Sequence, residues 1–177
     1  MAEPAPEPPV TVAVRRADAD ELDALGALTL AAYLADGYIS DGADYIQELS
    51  DAASRDRDAE VWVAVATTGA DKALVGCVTF CPPGSAYREI ATDDGEAEFR
   101  MLAVAVGWRR RGIARQLTQR CIDRGRELGQ HRMVLCSDRR MAAAHELYGR
   151  LGFARLPDRD WSPAPGVELL AFALDLR

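Results

Sequence analysis

The distribution of apolar residues predicts an α/β sandwich built on a mixed sheet. Two observations carry that expectation. Segments with strand-like alternation or short apolar runs take turns along the chain with segments whose apolar residues recur at helical spacing. Two of the strand-like segments, Glu60–Thr67 and Ala73–Cys81, are separated only by a short turn containing Thr68-Gly69-Ala70-Asp71. They read as one hairpin interrupting an otherwise regular order of strands and helices.

The elements follow in order. Val10–Val14 alternates around β-branched residues and reads as a first strand. Asp18 followed by Glu21 is a capping-box pattern, and Leu22, Leu25, Leu28 and Ala32 give the helix it opens one apolar face. Asp36-Gly37 ends that helix, and Tyr38–Gly42 is a polar, aromatic loop. A second helix is expected from Ala43 to about Ser54, with Tyr45, Ile46 and Leu49 inward. After the hairpin, closed by Pro82-Pro83-Gly84, a loop runs from Ser85 to Asp94. Glu96–Val106 reads as the central strand and Gly107 breaks it. From Ile113 the period changes, placing Ile113, Leu117, Cys121 and Leu128 on one helical face, with Gly129 as its stop. Arg132–Ser137 is a further strand. Met141–Leu151 is a helix with Ala144, Leu147, Tyr148 and Leu151 on one face. Gly152 caps it, and a strand starts at Phe153. A loop from Asp158 to Gly166 holds Trp161, and Glu168–Leu174 is the final strand.

A chain of 177 residues without repeat or linker is most simply one domain, expected over residues 10–177. Residues 1–9, rich in Pro, Glu and Ala, are expected to be a disordered tail. The start shows no signal-peptide pattern and no apolar run is long enough to span a bilayer, so a cytoplasmic protein without membrane contact is expected. The four cysteines, Cys77, Cys81, Cys121 and Cys136, lack zinc-type spacing and sit in apolar segments, which suits buried free thiols. With only His131 and His145, no metal site is expected.

Charge is unevenly placed. Between Arg100 and Arg140 eleven arginines face only Asp123, Glu127 and Asp138, a net of +8, which leaves −15 on the rest of a chain whose total is −7. One basic segment in an acidic protein suits a single anionic ligand better than a nucleic-acid surface. The acidic remainder either attracts a cationic partner such as an amine or serves solubility.

The basic segment has a definite form. Arg109, Arg110, Arg111, Gly112, Ile113, Ala114 and Arg115 join the central strand to its helix. The first amides of a helix lack partners within it and carry the positive end of its dipole. Gly112 and Ala114 let a bulky anion approach the backbone, and the arginines add charge, so the turn reads as a phosphate site. The alternative is a helix start whose arginines face water. Tyr33, Tyr38 and Tyr45 cluster in sequence with several acids. They read either as the lining of an amine site or as packing tyrosines.

These residues resemble a known family. Arg109-Arg110-Arg111-Gly112-Ile113-Ala114 fits the Arg/Gln-x-x-Gly-x-Gly/Ala signature of the GNAT superfamily of acyl-CoA-dependent N-acetyltransferases. Met101-Leu102-Ala103-Val104 stands where that family has the strand before its signature. Ala144-His145-Glu146-Leu147-Tyr148 through Leu151-Gly152-Phe153 is similar to its closing segment. The resemblance spans Val10 to Leu174.

It implies a mostly antiparallel mixed sheet with a central V-shaped splay and helices on both faces. It implies acetyl-CoA as co-substrate, its pantetheine arm lying along the exposed main chain of Leu102, Ala103 and Val104. The pyrophosphate would sit on the turn from Arg109 to Arg115. It further implies direct attack of a primary amine, of a small molecule or a peptide, on the thioester. Glu98 matches the family's strand-borne base, with Glu96 next in line; simple alternation would place Glu98, Arg100, Leu102 and Val104 on one face. The Leu102 amide would stabilise the oxyanion and Tyr148 would protonate the departing thiolate. A homodimer is among the forms the family adopts.

Two positions depart from the family pattern. Val106 replaces a proline after the bulge. Met141 replaces an asparagine of the closing segment, for which Ser137 or His145 could substitute. A catalytically silent acyl-CoA-binding sensor is the competing function, and it would need neither Glu98 nor Tyr148. A nucleotide-binding role is disfavoured because no P-loop lysine or Rossmann glycine triplet is present.

Overall fold

Alternating and helical periods resolve into thirteen elements in the computed structural model, which describes residues 9–39 and 43–177, the Ala43 side chain excepted. Residues 1–8 of the expected tail, and Ser40, Asp41 and Gly42 of the expected loop, lie outside the described residues. The strands are β1 (Val10–Arg16), β2 (Glu60–Thr68), β3 (Asp71–Cys81), β4 (Glu96–Val104), β5 (Arg132–Asp138), β6 (Ala154–Arg155), β7 (Trp161–Ala164) and β8 (Val167–Asp175). The helices are α1 (Leu22–Ala35), α2 (Ala43–Ser50), α3 (Ala52–Asp58), α4 (Ile113–Glu127) and α5 (Ala142–Arg150).

The strands form one sheet in the order β1-β2-β3-β4-β5-β8-β6, with β7 on β8. Every pairing is antiparallel except β4 with β5, as the α4 crossover between them requires. Helices cover both faces. On one side Ile113, Leu117 and Cys121 of α4 and Tyr148 of α5 pack with Ala97, Phe99, Met133 and Leu135. On the other, Leu22, Leu25 and Ala32 of α1 and Ala52 of α3 pack with Val61, Val63, Val65, Cys77 and Ala103. The mixed, mostly antiparallel α/β sandwich expected from the sequence is the observed fold. Among the described residues no helix is long and apolar enough to cross a membrane.

Several details differ from expectation. The expected second helix is two, because the Asp51 carboxylate accepts from Ser54 N (2.8 Å) and Ser54 Oγ (2.7 Å) and so starts α3 afresh. Leu49 of α2 is buried as expected, but Tyr45 is 38% exposed. The apolar face of α4 continues through Ile122 and Gly125, while Leu128, past the helix end, is 38% exposed. Trp161–Ala164 is a strand rather than loop; its residues are all exposed, so no alternation betrays it.

Candidate active site

The two central strands part company. β4 and β5 pair only at Glu96↔Arg132, Ala97↔Met133 and Glu98↔Val134. Beyond Glu98, β4 stays with β3 to the pair Val104↔Gly76, whereas β5 stays with β8 to Asp138↔Leu169. The facing edges of Phe99–Val104 and Leu135–Asp138 therefore open on a gap.

A bulge drives the separation. Arg100 stands opposite Thr79 and Ala103 opposite Cys77, so Met101 and Leu102 together face Val78. Met101 takes a left-handed φ of 54°, and the extra residue bends its strand away. The family proline is not needed for it, since Val106 occupies that place. The bulge also reverses the alternation. Leu102 and Val104 pack in the cluster of Phe99, Ile113 and Leu117, while Arg100 lies on the opposite face. The expectation that Glu98, Arg100, Leu102 and Val104 share one face fails for this reason: it assumed a strand without an inserted residue.

At the far end of β4 the chain turns into α4. Arg110 has φ 63° and Gly112 has φ 76°, two left-handed residues that swing successive peptide N–H groups toward one side. Among the described residues, none of the six amides from Arg110 to Arg115 has an acceptor; the first main-chain bond of the helix runs from Gln116 N to Gly112 O. A Cβ at Gly112 would meet nothing within 4 Å, so its backbone stands open to an approaching group. The arginines differ in use. Arg109 is committed to Asp36 of the α1 terminus, with further bonds to the carbonyls of Ala32 (3.2 Å) and Val104 (3.5 Å). Arg111 stacks on Trp108 at 4.9 Å. Arg110 and Arg115 make no ion pair among the described residues, in contrast to Arg109.

Four glutamates, Glu48, Glu89, Glu96 and Glu98, gather at β4. Glu98 is fully buried, and its Oε2 accepts the amides of Glu89 (2.9 Å), Ile90 (3.0 Å) and Ala91 (3.0 Å), while its Oε1 is buried without a partner. Burial pushes the Glu98 carboxyl up, and the three amides pull it back only in part. Glu96 is held by Arg159 (2.7 Å) and Arg132 (3.5 Å). Arg100 of β4 reaches Glu48 of α2 at 3.2 Å and Glu89 of the β3–β4 loop at 2.5 Å. Glu89 and Glu48 were invisible to sequence reasoning, because a loop has no period and their partner is set by the fold. Asp93, Glu96 and His131 bring ligand atoms within 4.8 Å of one another, but the two arginines already neutralise Glu96.

Tyr148 lies on the other side of the sheet, edge-on to Phe99 at 6.0 Å and close to Phe153 and Phe172. It is 5% exposed, and burial pushes its hydroxyl well above the ordinary tyrosine value. Of the three tyrosines grouped in sequence, Tyr33 and Tyr45 meet edge-to-face at 6.4 Å, whereas Tyr38 lies apart under Arg140. Ser137 Oγ meets Met141 Sδ at 3.4 Å, and His145 Nε2 is buried without a partner.

A gap flanked by unpaired strand edges thus ends at a row of amides that, among the described residues, have no acceptor. The Acetyltransferase (GNAT) family matches residues 27–153, and the chain belongs to that family. Solved structures agree on the fold. A GNAT-family acetyltransferase from Staphylococcus aureus Mu50 is 15% identical with a TM-score of 0.73, covering 94% of this chain and all of that one. A putative acetyltransferase, yncA, from Salmonella typhimurium, solved with its cofactor acetyl-CoA, is 23% identical with a TM-score of 0.67, covering 94% of this chain and 95% of that one. The ribosomal-protein-S18-alanine N-acetyltransferase of Escherichia coli is 18% identical with a TM-score of 0.66, covering 94% of each chain. No curated protein sequence matches the chain.

Proposed function

We propose that the protein transfers an acetyl group from acetyl-CoA to a primary amine by direct attack, both substrates being bound together. The observation that carries this reading is the continuity of the open β4 edge with six unaccepted amides, Arg110–Arg115. The residues fit the co-substrate. The main chain of Leu102, Ala103 and Val104 would hold an extended pantetheine arm as a missing strand would. The amides from Arg110 to Arg115, with the Arg110 and Arg115 guanidiniums, would hold the pyrophosphate. When bound, acetyl-CoA supplies a thioester carbonyl as electrophile.

The chain's own groups do the rest. The bulge turns the Leu102 amide out of regular pairing, which supports its role as an oxyanion donor. Tyr148, kept protonated by burial, gives its hydroxyl proton to the leaving sulfur. Tyr33 and Tyr45, on the α1–α2 face with the Glu48–Arg100 pair, form a wall for the amine. All four cysteines are free thiols, which supports a reducing, cytoplasmic setting.

Thermal unfolding with added CoA compounds tests the reading. Acetyl-CoA at about 100 times its Kd stabilises the fold by about 2.7 kcal/mol, which for a domain of this size raises Tm by about 5–10 °C. Pantetheine, which lacks the phosphates, gives a far smaller shift. No shift with acetyl-CoA at millimolar concentration overturns the proposal.

A further inference from the structure

We propose that Glu89 is the carboxylate that takes the proton from the acceptor amine, and that Glu98 is the positioning residue that holds it there. The inference rests on the acetyl-transfer reading and goes further by moving the base from the strand to the loop.

The geometry begins with where Glu89 reaches. Its Oε1 meets Arg100 Nη2 at 2.5 Å and its Oε2 accepts from Cys136 Sγ at 3.5 Å. Arg100 lies just past the last β4 residue paired with β5, and Cys136 just past the last β5 residue paired with β4. The carboxylate therefore bridges the two strands at the mouth of the gap, on the face of α1 and α2. Tyr148 approaches the sheet from the opposite face, among Phe99 and Phe172. A proton acceptor and a proton donor thus flank the same opening from its two sides.

Access distinguishes the two glutamates. The Glu98 carboxylate is fully buried, and one of its oxygens serves three amides. The Glu89 side chain keeps 24% of its surface and lines a cleft of about 480 Å³ with Ile90, Thr92, Asp158, Arg159 and Trp161. That cleft exposes Glu89 to solvent beside the Trp161 indole, Asp158 and Asp160. Glu98 fixes the loop by its main chain at the very residue that bears the working carboxylate.

Titratable and charged groups face Glu89 from each neighbouring element: Arg100 and Glu98 from β4, Glu48 from α2, Cys136 from β5, and Asp158, Arg159 and Asp160 across the cleft. Burial pushes the Glu89 carboxyl above its ordinary value, Arg100 pulls it back, and Glu98 and Glu48 raise it again. A carboxylate tuned upward is the better base near neutral pH. Burial pushes the Cys136 thiol up to about 12, so it stays a donor to Glu89 and no nucleophile.

The protons balance. An N–H proton of the ammonium passes to the Glu89 carboxylate, leaving a neutral amine beside a neutral acid. The nitrogen lone pair then forms the N–C bond as the C–S bond breaks. Of the two protons the nitrogen loses, one reaches solvent through Glu89. The other replaces the one Tyr148 gives to sulfur.

The test compares wild type with Glu89→Gln, Glu89→Asp and Glu98→Gln, using spermidine, tyramine and hydroxylamine as acceptors. The first two are protonated at neutral pH and need a base; hydroxylamine is already neutral there. Glu89→Gln should lose about 100-fold in kcat with the protonated probes. It should also lose the acid limb of the pH profile, yet keep its hydroxylamine rate and its acetyl-CoA Kd. Glu89→Asp should restore part of the rate and the acid limb. Glu98→Gln should raise KM and lower Tm while keeping the acid limb. A Glu89→Gln variant that retains rate and acid limb, or loses hydroxylamine turnover equally, overturns the proposal. Wild type that binds acetyl-CoA but acetylates none of the probes overturns it too. Failure to bind acetyl-CoA at all sinks the acetyl-transfer reading instead.

Discussion

The Arg109 guanidinium clasps the Asp36 carboxylate through two bonds of 2.7 and 2.9 Å. The pair ties the basic turn to the last turn of α1, where Arg109 also caps the Ala32 carbonyl. Arg109, read in the sequence as part of a phosphate site, thus also joins the basic turn to the end of α1. Each side chain is about one-third exposed, so the pair is worth about 1 kcal/mol.

Arg109→Ala and Asp36→Ala should accordingly behave alike. Each lowers Tm by about 2–4 °C and weakens acetyl-CoA binding only a few-fold, by loosening the turn. The double variant should cost little more than either single one. Arg115→Ala should instead leave Tm unchanged and reduce affinity in a salt-dependent way. Calorimetric titration of the four variants decides the matter. An Arg109→Ala loss not reproduced by Asp36→Ala would return Arg109 to the phosphate.

Glu96 and Arg159 give a prediction in pH. Burial pushes the Glu96 carboxyl up, but the Arg159 bonds of 2.7 and 3.1 Å, the Thr92 amide and Arg132 outweigh it and hold it below the ordinary value. A group with a lowered folded value stabilises the fold above its unfolded pKa, and the benefit is lost as pH falls through the folded value. Arg159→Ala should cost about 3 kcal/mol at neutral pH, since Glu96 is 1% exposed and loses its main partner. The gap between wild type and variant should narrow below about pH 4.3. Urea unfolding at several pH values measures it, and a gap constant into acid would show that the pair is not the cause.

Much of this fold was legible because it depends on period and punctuation. The alternation of Glu60–Thr67, the helical spacing from Ile113 and the stop at Gly129 each act locally, and each fell where expected. The gap depends on register, which no period encodes: one inserted residue at Met101 turned the side chains of Leu102 and Val104 over and left Arg100 on the far face. Asp36 lies in another element altogether, so the brace on Arg109 could not be read from the basic run. Glu98 was visible because it sits on a strand beside a motif. Glu89 was not, because its loop is shaped by the hydrogen bonds Glu98 itself accepts.

Tyr148 provides the remaining test, and it separates an enzyme from a silent binder. The ring is packed among Phe99, Phe153 and Phe172, so a phenylalanine in its place keeps the aromatic contacts and removes only the hydroxyl. Tyr148→Phe should therefore leave Tm within about 1 °C of wild type. Acetyl-CoA affinity should hold as well, because the amides of Arg110–Arg115 and the β4 edge are untouched. If the hydroxyl delivers a proton to sulfur, kcat should fall by about 100-fold. An acyl donor with a more acidic thiol, whose sulfur leaves without a proton, should regain most of the loss. A variant that turns over acetyl-CoA at the wild-type rate would make Tyr148 a packing residue, and a sensor role would then become the better account of the site.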